Sequence, residues 1–115
     1  MGSNLCSQVV DTVRSVFPEM LIKLEHFVNY NNQKLFLDIF LPQLGLIIEV
    51  HGRQHDEFVA HFHGDEAGFR LSRKRDRLKE EWADLNGYTW LALREHQLPI
   101  TGDKLLEMID DASDS

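Results

Sequence analysis

The chain has one cysteine, three prolines and seven glycines among its 115 residues. A lone Cys6 can form no internal disulfide and supplies no cysteine-based zinc site, so a reducing, cytoplasmic setting is expected. So little glycine and proline excludes a collagen-like or low-complexity chain. Long apolar runs are missing too. Stretches such as Leu44 to Val50 fall far short of the roughly 20 residues that span a bilayer, so no membrane partner is expected. No basic N-terminal segment leads into an apolar run, so no secretory signal is expected either. What remains is 43% hydrophobic, 10% aromatic and 27% charged, the composition of an ordinary globular domain. Its length suits one domain over residues 1–115 with a real apolar core.

An overall excess of positive charge is also lacking, since the formal net charge is −7. The distribution is uneven, however. Arg70, Arg73, Lys74, Arg75, Arg77 and Lys79 fall in one ten-residue window with a single acid, Asp76, so that window is +5 and the rest of the chain −12. Such a run is read either as a solvated helix face or as a local phosphate footprint on an acidic protein.

Apolar residues at Val9, Val10, Val13, Val16 and Phe17 recur at helical spacing and predict a helix over 7–17, ended by Pro18. Strands are predicted over 20–28, 35–41 and 46–51, separated by the turn-forming Asn29–Asn32 segment and by Pro42–Gly45. A second helix is expected from about Glu66 to Asn86, with Leu71, Leu78, Trp82 and Leu85 on its apolar stripe and Gly87 as its stop. A fourth strand over 88–93 and a short helix over 104–109 follow. Residues 52–65 show no period. The order α-β-β-β-α-β-α reads as an α/β (α+β) fold with a central mixed sheet flanked by helices.

Three residues are misplaced for such a core. Asp38 lies inside Leu35–Leu41, and Glu49 and His51 lie inside Leu46–His51. A carboxylate in an apolar strand is costly unless a cation or strong donors meet it. Alternation puts Glu49 and His51 on one face, and pairing through Pro42–Gly45 sets Asp38 beside Glu49. Two carboxylates and an imidazole suit a hard divalent cation such as Mg²⁺. The plainer alternative is a buried salt bridge, with Arg75 as partner. Zinc is a poorer fit, because neither His-x-x-x-His segment carries the Glu of a zinc-protease helix, and His61 and His63 read as loop residues.

At Asp38…Glu49-Val50-His51-Gly52-Arg53-Gln54-His55 the chain resembles the PD-(D/E)XK nuclease superfamily, in the branch of very-short-patch-repair endonucleases and EDxHD homing endonucleases. The resemblance continues through Arg75-Asp76, Leu85-Asn86-Gly87-Tyr88 and Leu91-Ala92-Leu93-Arg94-Glu95. It implies a restriction-endonuclease-like core and a Mg²⁺-dependent endodeoxyribonuclease, with Mn²⁺ expected to substitute. Asp38 would be the superfamily's metal-binding aspartate, Glu49 the acid of (D/E)-x-K, and His51 the replacement for its lysine. His55 would be the second histidine and Asp76 the aspartate that orients it. Asp11 has about the right spacing for a helical acid, with Glu19 and Glu25 competing.

On that basis Asp38, Glu49 and the Val50 carbonyl are expected to hold the metal, and His55 to act as general base or proton relay with support from His51. Arg53 and the Arg70–Lys79 cations would grip DNA. The spacer Gly52-Arg53-Gln54 lacks the wedge aromatics of the repair enzymes, so mismatch-specific nicking is not expected, nor is structural zinc. Nicking or structure-selective cutting follows, alone, as a homodimer or with a partner protein that supplies specificity. The setting would be bacterial cytoplasm, with the protein encoded by host or phage. Two other readings stay open: a non-catalytic nucleic-acid-binding or assembly module, and a metal-dependent hydrolase of small phosphoesters.

Overall fold

The structure is a computed structural model and describes residues 3–52 and 66–114. Helix α1 runs Ser3–Val16, and strands β1 (Lys23–Tyr30), β2 (Gln33–Leu41) and β3 (Leu46–His51) follow. Helix α2 spans Glu66–Leu85, strand β4 spans Thr89–Arg94, and a short 3₁₀ turn (Glu95–Gln97) leads to α3 (Gly102–Ser113). The order is α-β-β-β-α-β-α, and the predicted α+β class holds.

The sheet order is β1-β2-β3-β4, with β1–β2 and β2–β3 antiparallel and β3–β4 parallel. A parallel pair needs a crossover, and α2 supplies it. The β1–β2 hairpin closes through Asn31 and Asn32, whose φ angles of 53° and 61° are those of the primed turn that matches strand twist. The β2–β3 connection closes with Leu44 N–H on Leu41 C=O and Gly45 N–H on Pro42 C=O. Gly45 has φ 59°, and an added Cβ there would lie 3.3 Å from the Tyr88 ring. Its C=O also accepts from Thr89 N–H at 2.7 Å, which ties this turn to the start of β4.

Two cores lie on opposite faces. Val9, Val10 and Val13 of α1 and Leu105 of α3 pack with Ile39, Leu41, Leu46, Ile48, Leu91 and Leu93. On the other face Ala83 of α2, flanked by Leu78 and Trp82, packs on Val28, Leu35, Leu37, Phe40 and Ile47. The predicted α2 stripe holds only in part. Leu71 and Leu85, expected in the core, are exposed, because the helix meets the sheet through Leu78, Trp82 and Ala83.

Alternation breaks at Asp38. Leu35 and Leu37 face α2, and so does Phe40, whereas Ile39 and Leu41 face α1. The residue across the hairpin from Asp38 is Glu25, which falls between the pairs Leu24↔Ile39 and His26↔Leu37 and has φ 48°. The ribbon therefore reverses its pleat at one step, and the step is Asp38.

Candidate metal and nucleic-acid site

β3 presents Ile47, Glu49 and His51 to the α2 side, next to Trp90, Ala92 and Arg94 of β4, which they pair with in register. The β2–β3 ladder is antiparallel down to Ile39↔Ile48, so Asp38 comes next to Glu49. Beyond that pair the carboxylates replace the ladder. Asp38 N–H donates to Glu49 Oε2 at 2.8 Å, and Val50 N–H donates to Asp38 Oδ2 at 2.9 Å. A backbone amide where strands part needs an acceptor, and each acid supplies one to the other strand.

Glu49 is 1% exposed, so its charge must be met inside the protein. Lys79 of α2 meets it, with Nζ 3.0 Å from Oε1 and a side chain only 14% exposed. Burial, and then the neighbouring Asp38 charge, push the Glu49 carboxyl up to about 7 against the opposing pull of Lys79. Arg75, the expected partner in the salt-bridge reading, is exposed; Lys79 takes that place.

His51 is 6% exposed, and its Nδ1 lies 3.2 Å from Arg94 Nη1. A guanidinium can only donate, so Nδ1 accepts and the ring is neutral in this arrangement. Asp76, half-buried on α2, completes a group: one ligand atom from each of Glu49, His51 and Asp76 lies within 4.8 Å of the others. This donor set can hold a metal ion. It shares Glu49 with the expected set and adds His51 and Asp76; Asp38 Oδ2 accepts from the Val50 N–H, a contact that does not involve the Val50 carbonyl. Asp76 was expected only as the orienting partner of His55.

His55 and Arg53 lie outside the described residues, as do His61 and His63. Asp11 is exposed on α1 and is not part of the metal-candidate group among the described residues. Cys6, also on α1, has its thiol pushed up by burial first and then by Asp38, Glu25 and Glu49, so it stays protonated.

The basic window divides by helical position. Arg70 pairs with Glu66 at 3.6 Å on the surface, Lys74 is exposed, and Arg73 lies over the Phe69 ring at 5.6 Å. Arg73, Arg77 and Arg94 line a cavity of about 190 Å³ with His51, Asp76 and Glu80, so its three guanidinium groups outnumber its two carboxylates. A second cavity of about 430 Å³ lies on the β2 side of Asp76 and is lined by Lys34, Ser72, Arg75 and Lys79. Lys34 and Arg94 were not singled out as site residues from sequence; Arg94 follows in the chain from the Leu91–Arg94 strand and Lys34 from a turn-proximal position without a local pattern. A cavity of about 630 Å³ lies farther along α2, where Glu80, Glu81 and Asp84 outnumber Arg77 and make it a poor phosphate receptor. Among the described residues no helix is long and apolar enough to cross a membrane.

No protein-family model matches the chain, and no solved structure matches it. The chain is similar to the uncharacterized protein 307L of Invertebrate iridescent virus 6, at 38% identity over 58 residues. That match covers 50% of this chain and 29% of the viral protein, so the chain spans under a third of that relative's length.

Proposed function

We propose that the protein is a metal-dependent DNA endonuclease that hydrolyses phosphodiester bonds, by nicking or structure-selective cutting. The observation that carries this reading is the convergence of Glu49 and His51 of β3 with Asp76 of the helix that also bears the basic window. The PD-(D/E)XK resemblance adds to it, and so does the kinked strand that carries Asp38. Two carboxylates fit Mg²⁺, and the imidazole shifts the set toward Mn²⁺, which accepts nitrogen more readily. A divalent cation held there would draw charge from a phosphate oxygen and acidify a bound water.

The chain's own residues have separable tasks. Lys79 aligns Glu49 and pulls against the burial that raises its carboxyl. Arg94 donates to the single lone pair of neutral His51, so it must release that nitrogen for the ring to ligate a metal. Asp38 fixes the Val50 amide and so the end of β3. Arg73, Arg77 and Arg94 offer a concentrated positive surface to the substrate phosphate. His55 is assigned the proton transfer from water by the resemblance. Hydrolysis then forms a water-oxygen-to-phosphorus bond, breaks one P–O ester bond and protonates the leaving oxygen. A homodimer or a specificity-providing partner completes recognition. The single thiol suits a cytoplasmic setting, and the partial likeness to an iridovirus protein is consistent with a viral one.

A second reading, a non-catalytic nucleic-acid-binding module, is favoured by one observation: Lys79 already neutralises Glu49 without a cation. Incubation with supercoiled plasmid and with branched DNA, in Mg²⁺, Mn²⁺ and EDTA, separates the two. Metal-dependent nicking lost in Asp76→Ala supports the enzyme. Salt-sensitive DNA retention without cutting supports the module.

A further inference from the structure

The last rung of the parallel β3–β4 ladder sets His51 beside Arg94. The Arg94 backbone is tied there, since its N–H donates to Gln97 Oε1 at 2.7 Å, so a change of partner is a movement of its side chain. That side chain takes part in two arrangements at once. Its Nη1 lies 3.2 Å from Nδ1 of His51, which belongs to the Glu49–His51–Asp76 group. It also lines the cavity of about 190 Å³ with Arg73 and Arg77. That space is smaller than the roughly 300–1,000 Å³ of small-molecule pockets and suits a single phosphate group.

A neutral imidazole has one nitrogen with a lone pair and one that carries the proton. Arg94 donates to Nδ1, which puts the lone pair on Nδ1 and the proton on Nε2. A cation at Nδ1 needs the lone pair that Arg94 already occupies. A cation at Nε2 needs the other tautomer, whose Nδ1–H would face the guanidinium N–H, donor against donor. Through either nitrogen, the ion and the Arg94 contact exclude each other. A phosphate oxygen is the stronger acceptor for a guanidinium, because both partners are charged and the contact can be bidentate. Arg94 therefore has a better partner within reach whenever a phosphate enters the cavity.

We infer that a phosphodiester bound in the Arg73–Arg77–Arg94 cavity draws Arg94 off His51 and opens the imidazole to the cation, so that anion and cation bind cooperatively. The protein without substrate then holds a divalent cation weakly and completes its metal site only beside a phosphate. By linkage, the cation tightens the phosphate by the same factor. This inference rests on the reading of the site as a metal-dependent one that acts on phosphodiesters. It makes Arg94 the positioning residue through which the two ligands sense each other.

The test reads binding and the ring itself, apart from cutting, with the whole chain. Calorimetric titration follows Mn²⁺ with and without dimethyl phosphate, a minimal phosphodiester, at fixed ionic strength. Wild type is expected to bind Mn²⁺ about tenfold more tightly with the diester present. Arg94→Ala is expected to bind Mn²⁺ alone as tightly as wild type does with the diester, and to lose the coupling. Arg77→Ala removes the same charge from the cavity but not the His51 hydrogen bond, and its affinity for Mn²⁺ alone is expected to rise less. Long-range proton–nitrogen correlation spectra at pH 8 report the His51 tautomer. The metal-free wild-type ring is expected to carry its proton on Nε2, and the diester or Arg94→Ala to bring in the Nδ1–H form. Equal Mn²⁺ affinity with and without the diester, a proton on Nδ1 in the metal-free wild type, or equal gains in the two arginine variants overturns the inference. If the coupling appears and plasmid DNA is not cut in Mg²⁺ or Mn²⁺, the nuclease reading fails while the coupled site stands. If plasmid is cut and the coupling is absent, the nuclease reading stands and the coupling fails.

Discussion

Lys79 and Glu49, thirty residues apart in sequence, meet at 3.0 Å between α2 and the sheet. Both partners are largely out of water, unlike those of the surface pair Arg70–Glu66, and several properties of the protein turn on the contact.

Removing the ammonium leaves a buried carboxylate with one fewer partner. Breaking a buried pair costs about 3–5 kcal/mol when the remaining charge cannot escape. Glu49 can escape by binding a proton, so Lys79→Met is expected to lower the melting temperature strongly at pH 8 and much less at pH 5.5. Thermal unfolding at both values checks this, and equal losses would show that the pair carries no charge.

The raised Glu49 pKa has its own signature. Between its ordinary value of 4.5 and about 7, the folded protein holds a proton that the unfolded chain has lost. Stability from this group is therefore full below pH 4.5 and declines as pH rises through 7, by on the order of 3 kcal/mol in all. Glu49→Gln is expected to flatten this part of the stability profile measured by urea unfolding without divalent cations.

Cation binding must reverse that decline, because a ligand carboxylate has to give up its proton. Mn²⁺ is expected to stabilise the protein more at pH 8 than at pH 6, and more than Mg²⁺ does. At about one hundred times Kd the gain is about 2.7 kcal/mol. Calorimetric titration in buffers of different ionisation heat should show proton release near neutral pH, and Asp76→Ala should abolish the binding.

Among the described residues, the positive-φ glycines Gly45 and Gly87 separate strain from crowding. Gly87 has φ 71° and nothing within 4 Å of an added Cβ, whereas Gly45 has φ 59° and the Tyr88 ring at 3.3 Å. Asparagine tolerates the left-handed region, so Gly87→Asn is expected to cost under about 1 kcal/mol. Gly45→Asn adds a clash and is expected to cost at least about 1 kcal/mol more. Denaturant midpoints of the two variants give the comparison.

Much of the fold was legible because the periodic signals are local. Leu46–His51 emerged as β3 with its predicted bounds, and Asn31–Asn32 formed the turn that their backbone tolerance suggested. Glu49 and His51 were conspicuous as polar residues in an apolar strand, and Asp76 as the acid in a basic run. The helix partner was misjudged. Arg75 lies on the same stripe as Leu71 and Leu78, but Leu71 is itself exposed, so the true sheet-facing direction runs through Lys79 and Ala83. The reversal at Asp38 had no signal at all, since it depends on Glu25, a residue type with no preference for positive φ, adopting one across the hairpin.

The Pro42–Gly45 turn and the eleven-residue interval from Asp38 to Glu49 act together as a ruler. The acids find each other's strand amides only if the hairpin arms are counted to the residue. Side chains along the arms are free to vary within their apolar character, but one inserted or deleted residue would turn Glu49 to the α1 core and leave Lys79 facing a hydrocarbon. In this protein, length is under tighter constraint than identity.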